Sequence, residues 1–391
     1  MNNNPLLKIK EYGQSIWIDY LDRSQLESGK LEATIESYGI CGMTSNPRIY
    51  AKAITQNSTY DSEIQAGLEA GQSAKGIFED IIFQDIRRAC DIFRPIYENT
   101  ARKDGYVSVE ISPHLARNIE GTLAETKRYV EEINRENLMV KIPATEEGYT
   151  AIERATTEGI NVNITLLFSL ESYEKTAEAY MRGLEARVKA NQPIDRMASV
   201  ASIFLSRIDA KVDDMINQKL TEIGTEALSE ETRLDSLKGK IAIANAKVAY
   251  QKHKEILNSE RWQNLAAKGA QVQRLLWAST KPKDPQLSDV LYVNETVAPN
   301  TVSTLPPATI EAAADRANPS ENPIETDVDA AYHLLESLNA PDIGISYDRI
   351  MEQLLEEGVE KYAQPYDSLM EYIENGGKKA KKRELQSLQT E

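Results

Sequence analysis

Lys141 lies in the run NLMVKIPAT (137–145), a lone amine among apolar, strand-forming neighbours, and Glu110 sits near the end of an earlier run of the same kind, YVSVEIS (106–112). A lysine inside a buried strand is destabilised by several kcal/mol if it stays charged and unpaired. Burial favours the neutral amine of such a lysine, and a neutral amine is a nucleophile toward carbonyl carbon. The pair therefore points to Schiff-base chemistry. The competing reading is a strand-end lysine that snorkels to solvent.

The company Lys141 keeps favours the chemistry. Successive strand-like runs end in Asp19, Asn46, Glu110, Lys141, Thr165 and Ser202. Taken singly, a strand-end Asp, Asn or Ser reads as a helix cap or a turn residue. As a set they supply what imine chemistry needs. Glu110 can hold a water that, with the Thr165 hydroxyl, moves protons beside the lysine. Asp19 suits the base that takes a proton from a β-hydroxyl as a carbon–carbon bond breaks. Asn46 and Ser202 are short neutral groups fitted to substrate hydroxyls, and so to a sugar.

These residues need a scaffold that brings six strand ends to one place. The strand candidates are SIWID (15–19), YGICGMTS (38–45), YVSVEIS (106–112), LMVKIP (138–143), NVNITLLF (161–168), MASVASIF (197–204), QVQRLLWAS (271–279) and DVLYVNE (289–295). Most are bounded by Gly, Asn, Ser or Pro. Charged amphipathic stretches at 119–135, 146–158 and 169–190 separate several of them. Alternating apolar strands and helices imply a parallel sheet covered by helices, and eight candidates make a closed (β/α)₈ TIM barrel the natural count. An open doubly wound sheet would want a Gly-rich loop after its first strand, where this chain has YLDRSQL. Helical inserts are expected at 48–104 and 207–268, and beyond 300 further helices at 307–317, 332–338 and 347–374. We expect a barrel over 1–318 and a helical extension packing on it over 319–391, with the basic KKAKKR (378–383) in a frayed tail. Trp17 is expected in the barrel core, and Cys41 as a small buried hydrophobe.

The chain has 391 residues and a formal charge of −16, from 45 Lys and Arg against 61 Asp and Glu. That balance disfavours nucleic-acid binding, and an anionic substrate must meet a local basic cluster. The two cysteines, Cys41 and Cys90, offer no disulfide framework, and with no signal-peptide pattern the expected compartment is the cytoplasm. No apolar run approaches the roughly 20 residues of a membrane span. His114, His253 and His333 are too scattered for a zinc site, so neither metal nor cofactor is expected. Oligomeric state is not legible.

Five motifs in order, TSNP (44–47), VSVEISP (107–113), NLMVKIPAT, GINVNITLLFS (159–169) and SRID (206–209), resemble the transaldolase family over roughly residues 12–318. WIDYLDR, WASTK (277–281) and LYVNETVAPNTVSTLP (291–306) resemble its longer bacterial subgroup, which carries a C-terminal extension. The resemblance implies a class I aldolase-like barrel without cofactor, moving a dihydroxyacetone unit between sugar phosphates in the non-oxidative pentose phosphate pathway. It implies Lys141 as the Schiff-base lysine, Asp19 as acid/base, Glu110 and Thr165 around a catalytic water, and Asn46 and Ser202 on the sugar. For the phosphate it implies Arg207, five residues after Ser202, together with Ser279. The common pattern's arginine after that serine is replaced here by Lys281, and Lys283 is an equal candidate. Two other functions compete: a fructose-6-phosphate aldolase that releases free dihydroxyacetone, and an inactive barrel serving as a binding partner. Glu110 favours the transferase over the aldolase, and the intact lysine set argues against the inactive barrel.

Overall fold

The protein is described from a computed structural model, covering residues 4–222 and 228–377. Eight parallel strands close in chain order: β1 (Ser15–Asp19), β2 (Gly42–Thr44), β3 (Val107–Glu110), β4 (Leu138–Pro143), β5 (Val162–Leu167), β6 (Ser199–Phe204), β7 (Gln273–Ala278) and β8 (Val302–Leu305). Closure is made where β8 pairs with β1, Ser15 opposite Val302. Every residue of β4 to β7 is buried, as a sheet covered by helices requires.

The connections carry the expected start signals. Thr145 caps the helix Glu146–Thr157 by accepting from the Gly148 amide at 3.0 Å, and acidic Glu146 and Glu147 fill its first turn. Ser169 caps Leu170–Lys189 in the same way, accepting from the Ser172 amide. Each cap satisfies an orphan amide and turns the chain away from the barrel mouth.

The eighth strand corrects the sequence reading. DVLYVNE is not a strand: Leu291–Glu295 is a short helix, and the strand comes later, in VSTL. The apolar Leu-Tyr-Val triplet misleads because helical Tyr292 is as buried as any strand residue, donating its hydroxyl to Asp209 at 2.7 Å. VSTL is short, half polar and set between Pro299 and Pro306, so its propensity is weak. It is a strand because ladders on both sides recruit it. The second run is also trimmed: its Tyr38 ends a helix that Gly39 terminates at φ 68°.

Charge closes the bottom of the barrel. Buried Arg274 donates to Asp104 Oδ1 at 2.9 Å, to Ser15 Oγ at 2.5 Å and to the Thr301 carbonyl at 2.8 Å. Asp104 also accepts from Ser15 Oγ at 2.7 Å and from the Trp17 indole at 3.1 Å. Trp17 is thus a core residue with a satisfied N–H. Cys41 and Cys90 are free and buried; burial, with Asp104 nearby, pushes the Cys41 thiol up to about 11.

Across the opposite end runs the helix Tyr347–Glu374, which touches β5 and the helices Pro47–Gln56, Ala74–Asn99 and Ser206–Glu222. Lys211 pairs with Glu357 at 2.5 Å, His114 with Asp367 at 2.7 Å, and Arg117 with Glu356. The basic run at 378–383 lies outside the described residues. Among the described residues no helix is long and apolar enough to cross a membrane.

Arg274→Met leaves Asp104 buried without its cation and should destabilise the fold by roughly 3–5 kcal/mol. Urea unfolding monitored by fluorescence checks this; a loss under about 1 kcal/mol would mean that Ser15 and Trp17 suffice for Asp104.

Candidate active site

Lys141 is the third residue from the end of β4, lying in register with Glu110 of β3 on one side and Asn163 of β5 on the other. Its side chain is 6 % exposed, its Nζ donates to the Ser45 carbonyl at 2.9 Å, and it stands 4.0 Å from Glu110 Oε2. The carbonyl acceptor is itself held: Ser45 Oγ donates to the Ser108 carbonyl at 2.7 Å and meets the Tyr50 hydroxyl.

Two carboxylates share this interior. Burial raises the pKa of Glu110 to about 7; the Lys141 and Arg207 charges oppose that rise, and Asp19 adds to it. Burial also raises Asp19, opposed by Lys141, by a hydrogen bond from Thr44 and by Arg207. That bond, Thr44 Oγ1 to Asp19 Oδ1 at 2.6 Å, obliges Thr304, 2.7 Å from Thr44 Oγ1, to donate in turn. Asp19, Glu110, Lys141 and Arg207 therefore form one electrostatic unit, in which burial favours the neutral form of each acid and the cations oppose it.

Thr165 and Ser202 face the same interior. Ser202 Oγ donates to Asn163 Oδ1 at 2.7 Å, and Asn163 Nδ2 donates to Ser108 Oγ at 3.0 Å. Thr165 Oγ1 and Glu110 Oε2 are buried and make no hydrogen bond of ordinary geometry to the protein, which suits them to a water or a substrate hydroxyl. Beside Thr165 the β5–β6 register slips between Ile164 and Leu167, and Leu166 takes φ 60°. A bulge with a non-glycine residue in the left-handed region stores about 1–3 kcal/mol, and such strain gathers at working sites.

Asn46 caps the helix Pro47–Gln56, its Oδ1 accepting from the Ile49 amide at 3.0 Å. The cap role and a ligand role are compatible, since the cap uses only the oxygen. Arg207 follows β6, its guanidinium carbon 5.0 Å from the Phe204 ring centre and 5.2 Å from that of Tyr362, with Nη1 buried and unpartnered. Ser279 follows β7 at φ 52°, its carbonyl accepting from the Ser206 amide at 3.0 Å, so it stands beside the segment that bears Arg207. Lys281 and Lys283 are exposed on the loop after it.

A buried amine, two acids with raised pKa values and a cation with an orphaned N–H thus meet at the carboxyl ends of the strands. The model of the family described as transaldolase/fructose-6-phosphate aldolase matches residues 16–373. The chain belongs to that family. A protein named transaldolase 2 from Nostoc punctiforme is 55% identical over 375 residues, covering 96% of this chain and 98% of the relative. A transaldolase from Trichodesmium erythraeum is 52% identical, covering 97% and 99% respectively, and one from Thermobifida fusca is 41% identical, covering 95% and 97%. The family match passes residue 318 and takes in nearly all of the helix Tyr347–Glu374.

Sequence reasoning missed Asn163, Thr44, Thr304 and Tyr362. Asn163 had a usable signal, since it stands two residues before Thr165 and strand alternation puts both on one face. Thr304 lay in the unrecognised eighth strand, and Tyr362 in a helix assigned no site residue.

To accept a proton Glu110 must be ionised, so the rate of Schiff-base formation should rise with pH through about 7 and then level. Glu110→Gln should remove that limb and slow the step by about 10²–10⁴-fold. Stability runs the other way. A folded pKa above the ordinary carboxylate value means the native state holds the extra proton, so this contribution is present in acid and lost as pH rises through about 7. Stopped-flow profiles of both proteins check the kinetic claim; an acidic limb that persists in the variant would assign it to another group.

Proposed function

We propose that the protein is a transaldolase moving a dihydroxyacetone unit between sugar phosphates, with sedoheptulose 7-phosphate and glyceraldehyde 3-phosphate giving erythrose 4-phosphate and fructose 6-phosphate. The observation that carries this reading is the Lys141 amine, enclosed by the barrel with Glu110 4.0 Å away, in a chain whose relatives bear that name along their whole length.

The residues take these parts. Lys141 Nζ attacks the ketose carbonyl carbon, the carbonyl oxygen takes up a proton, and the nitrogen gives one up to Glu110. Loss of water from the carbinolamine then forms the iminium, with a water held between Glu110 and Thr165 ferrying protons. Asp19 removes the proton of the hydroxyl two carbons from the iminium carbon. The bond between the adjoining carbon and the hydroxyl-bearing carbon breaks, its electron pair passing into the iminium to leave an enamine. The first aldehyde departs, and the enamine carbon attacks the second aldehyde as Asp19 returns its proton to the new alkoxide. Hydrolysis of the new iminium frees the product and the amine. Nothing is oxidised or reduced.

Asn46 and Ser202 bind the hydroxyls of the three-carbon unit. Arg207 and Ser279, with Lys281 or Lys283 from the following loop, bind the phosphate. Arginine suits this duty because its planar fork can meet two phosphate oxygens. The phosphate anchor and the enclosed mouth hold the enamine until an acceptor arrives, which separates transfer from simple aldol cleavage.

Borohydride added with fructose 6-phosphate should reduce the iminium and fix a three-carbon or sugar adduct on the tryptic peptide containing Lys141. Lys141→Ala should lose both label and activity. An active protein labelled on a different peptide would remove Lys141 from the role. Turnover of fructose 6-phosphate should require erythrose 4-phosphate or another aldehyde acceptor; rapid release of free dihydroxyacetone without one would make the enzyme an aldolase instead.

A further inference from the structure

We propose that Tyr362, carried on the helix beyond the last barrel strand, is a positioning residue of the active site: its ring fixes the Arg207 guanidinium for the substrate phosphate, and its hydroxyl orients Thr165. This rests on the transaldolase reading of the same site and gives the extension a working part in it.

The geometry is specific. Tyr362 is 5 % exposed and lies on the inward face of the helix with Leu354, Gly358, Tyr366 and Leu369, at helical spacing. Gly358, one turn before it, brings the helix so close to β5 that an added Cβ would stand 2.9 Å from Leu166 Cδ2. Leu166 is the residue at φ 60° next to Thr165. The bulge in β5 and the glycine in the helix are therefore two halves of one contact, and it sets Tyr362 over the strand that carries the proton relay.

Arg207 lies over two rings, Phe204 of β6 at 5.0 Å and Tyr362 at 5.2 Å. Phe204 comes from the barrel, so the barrel alone supplies one of the two rings. A guanidinium held against aromatic rings keeps N–H groups for an anion, and the buried Nη1 makes no hydrogen bond to the protein. The tyrosine hydroxyl faces Thr165, whose Oγ1 makes no hydrogen bond of ordinary geometry to the protein. The fields of Arg207, Glu110 and Asp19 all reach that phenol, and burial raises its pKa, which keeps it a neutral donor.

Three variants test this, with fructose 6-phosphate and unphosphorylated fructose as the paired probes. Tyr362→Phe keeps the ring: fructose 6-phosphate should bind within about twofold of wild type by titration calorimetry, while kcat for transfer falls about tenfold. Tyr362→Leu loses the ring: KM for fructose 6-phosphate should rise about tenfold, with KM for fructose unchanged. Gly358→Ala, which leaves Tyr362 in the chain but crowds the Leu166 side chain beneath it, should shift the phosphate preference in the same direction as the leucine variant. Equal losses for both sugars in Tyr362→Leu would make the residue a mere packing element and overturn the proposal, as would wild-type kcat in Tyr362→Phe. Calorimetry reads phosphate recognition whether or not the ketose turns over. A protein that distinguishes the two sugars through Tyr362 but forms no borohydride adduct would sink the transaldolase reading and leave this one standing.

Discussion

The structure turns on how a closed barrel tolerates an amine, two acids and a guanidinium near one another in its upper interior. Unpaired, a buried ammonium or carboxylate would be strongly destabilising. Here each group is answered by a fixed partner: the Ser45 carbonyl for Lys141, the Thr44 hydroxyl for Asp19, and two aromatic faces for Arg207. Glu110 keeps one oxygen that makes no hydrogen bond, and burial raises its pKa against the pull of Lys141 and Arg207. Such a set is poised because its compensation is incomplete.

The two ends of the barrel use buried charge differently. At the bottom, Arg274 and Asp104 bond each other directly and share Ser15, Trp17 and the Thr301 carbonyl, with Arg274 Nε left without a partner. At the top, orphaned atoms remain on Glu110, Thr165 and Arg207. Direct pairing at 2.9 Å makes a plug, whereas the 4.0 Å separation of Lys141 and Glu110 leaves both groups able to engage a substrate. The same residue types thus hold the fold at one end and do chemistry at the other.

The helix Tyr347–Glu374 joins these themes. It is tied to the connections after β2, β3 and β6, so it bridges the units that carry Asn46, Glu110 and Arg207. A helix lying across several βα connections restrains them together. The strained turn at Leu166 persists because Gly358 packs on it, and strain of that kind survives only where its surroundings over-determine it.

The primary sequence by itself determined the barrel class, seven of its strands and the six polar residues at their ends. Those features are local: burial on both faces demands apolar runs, so a lysine or glutamate within such a run stands out. The helical extension was likewise legible from its period. Tertiary structure alone decided the eighth strand, because VSTL has little propensity of its own and pairs only when β1 and β7 present their edges. It alone decided that Asn163 bridges Ser108 and Ser202, and that Tyr362, 155 positions after Arg207 in the chain (362 − 207), lies against it. A tyrosine on a helix looks like any core aromatic until another element places a cation under its ring. The difference is physical: propensity and burial are carried by neighbours in the chain, whereas compensation of a buried charge comes from whatever group the fold brings within reach.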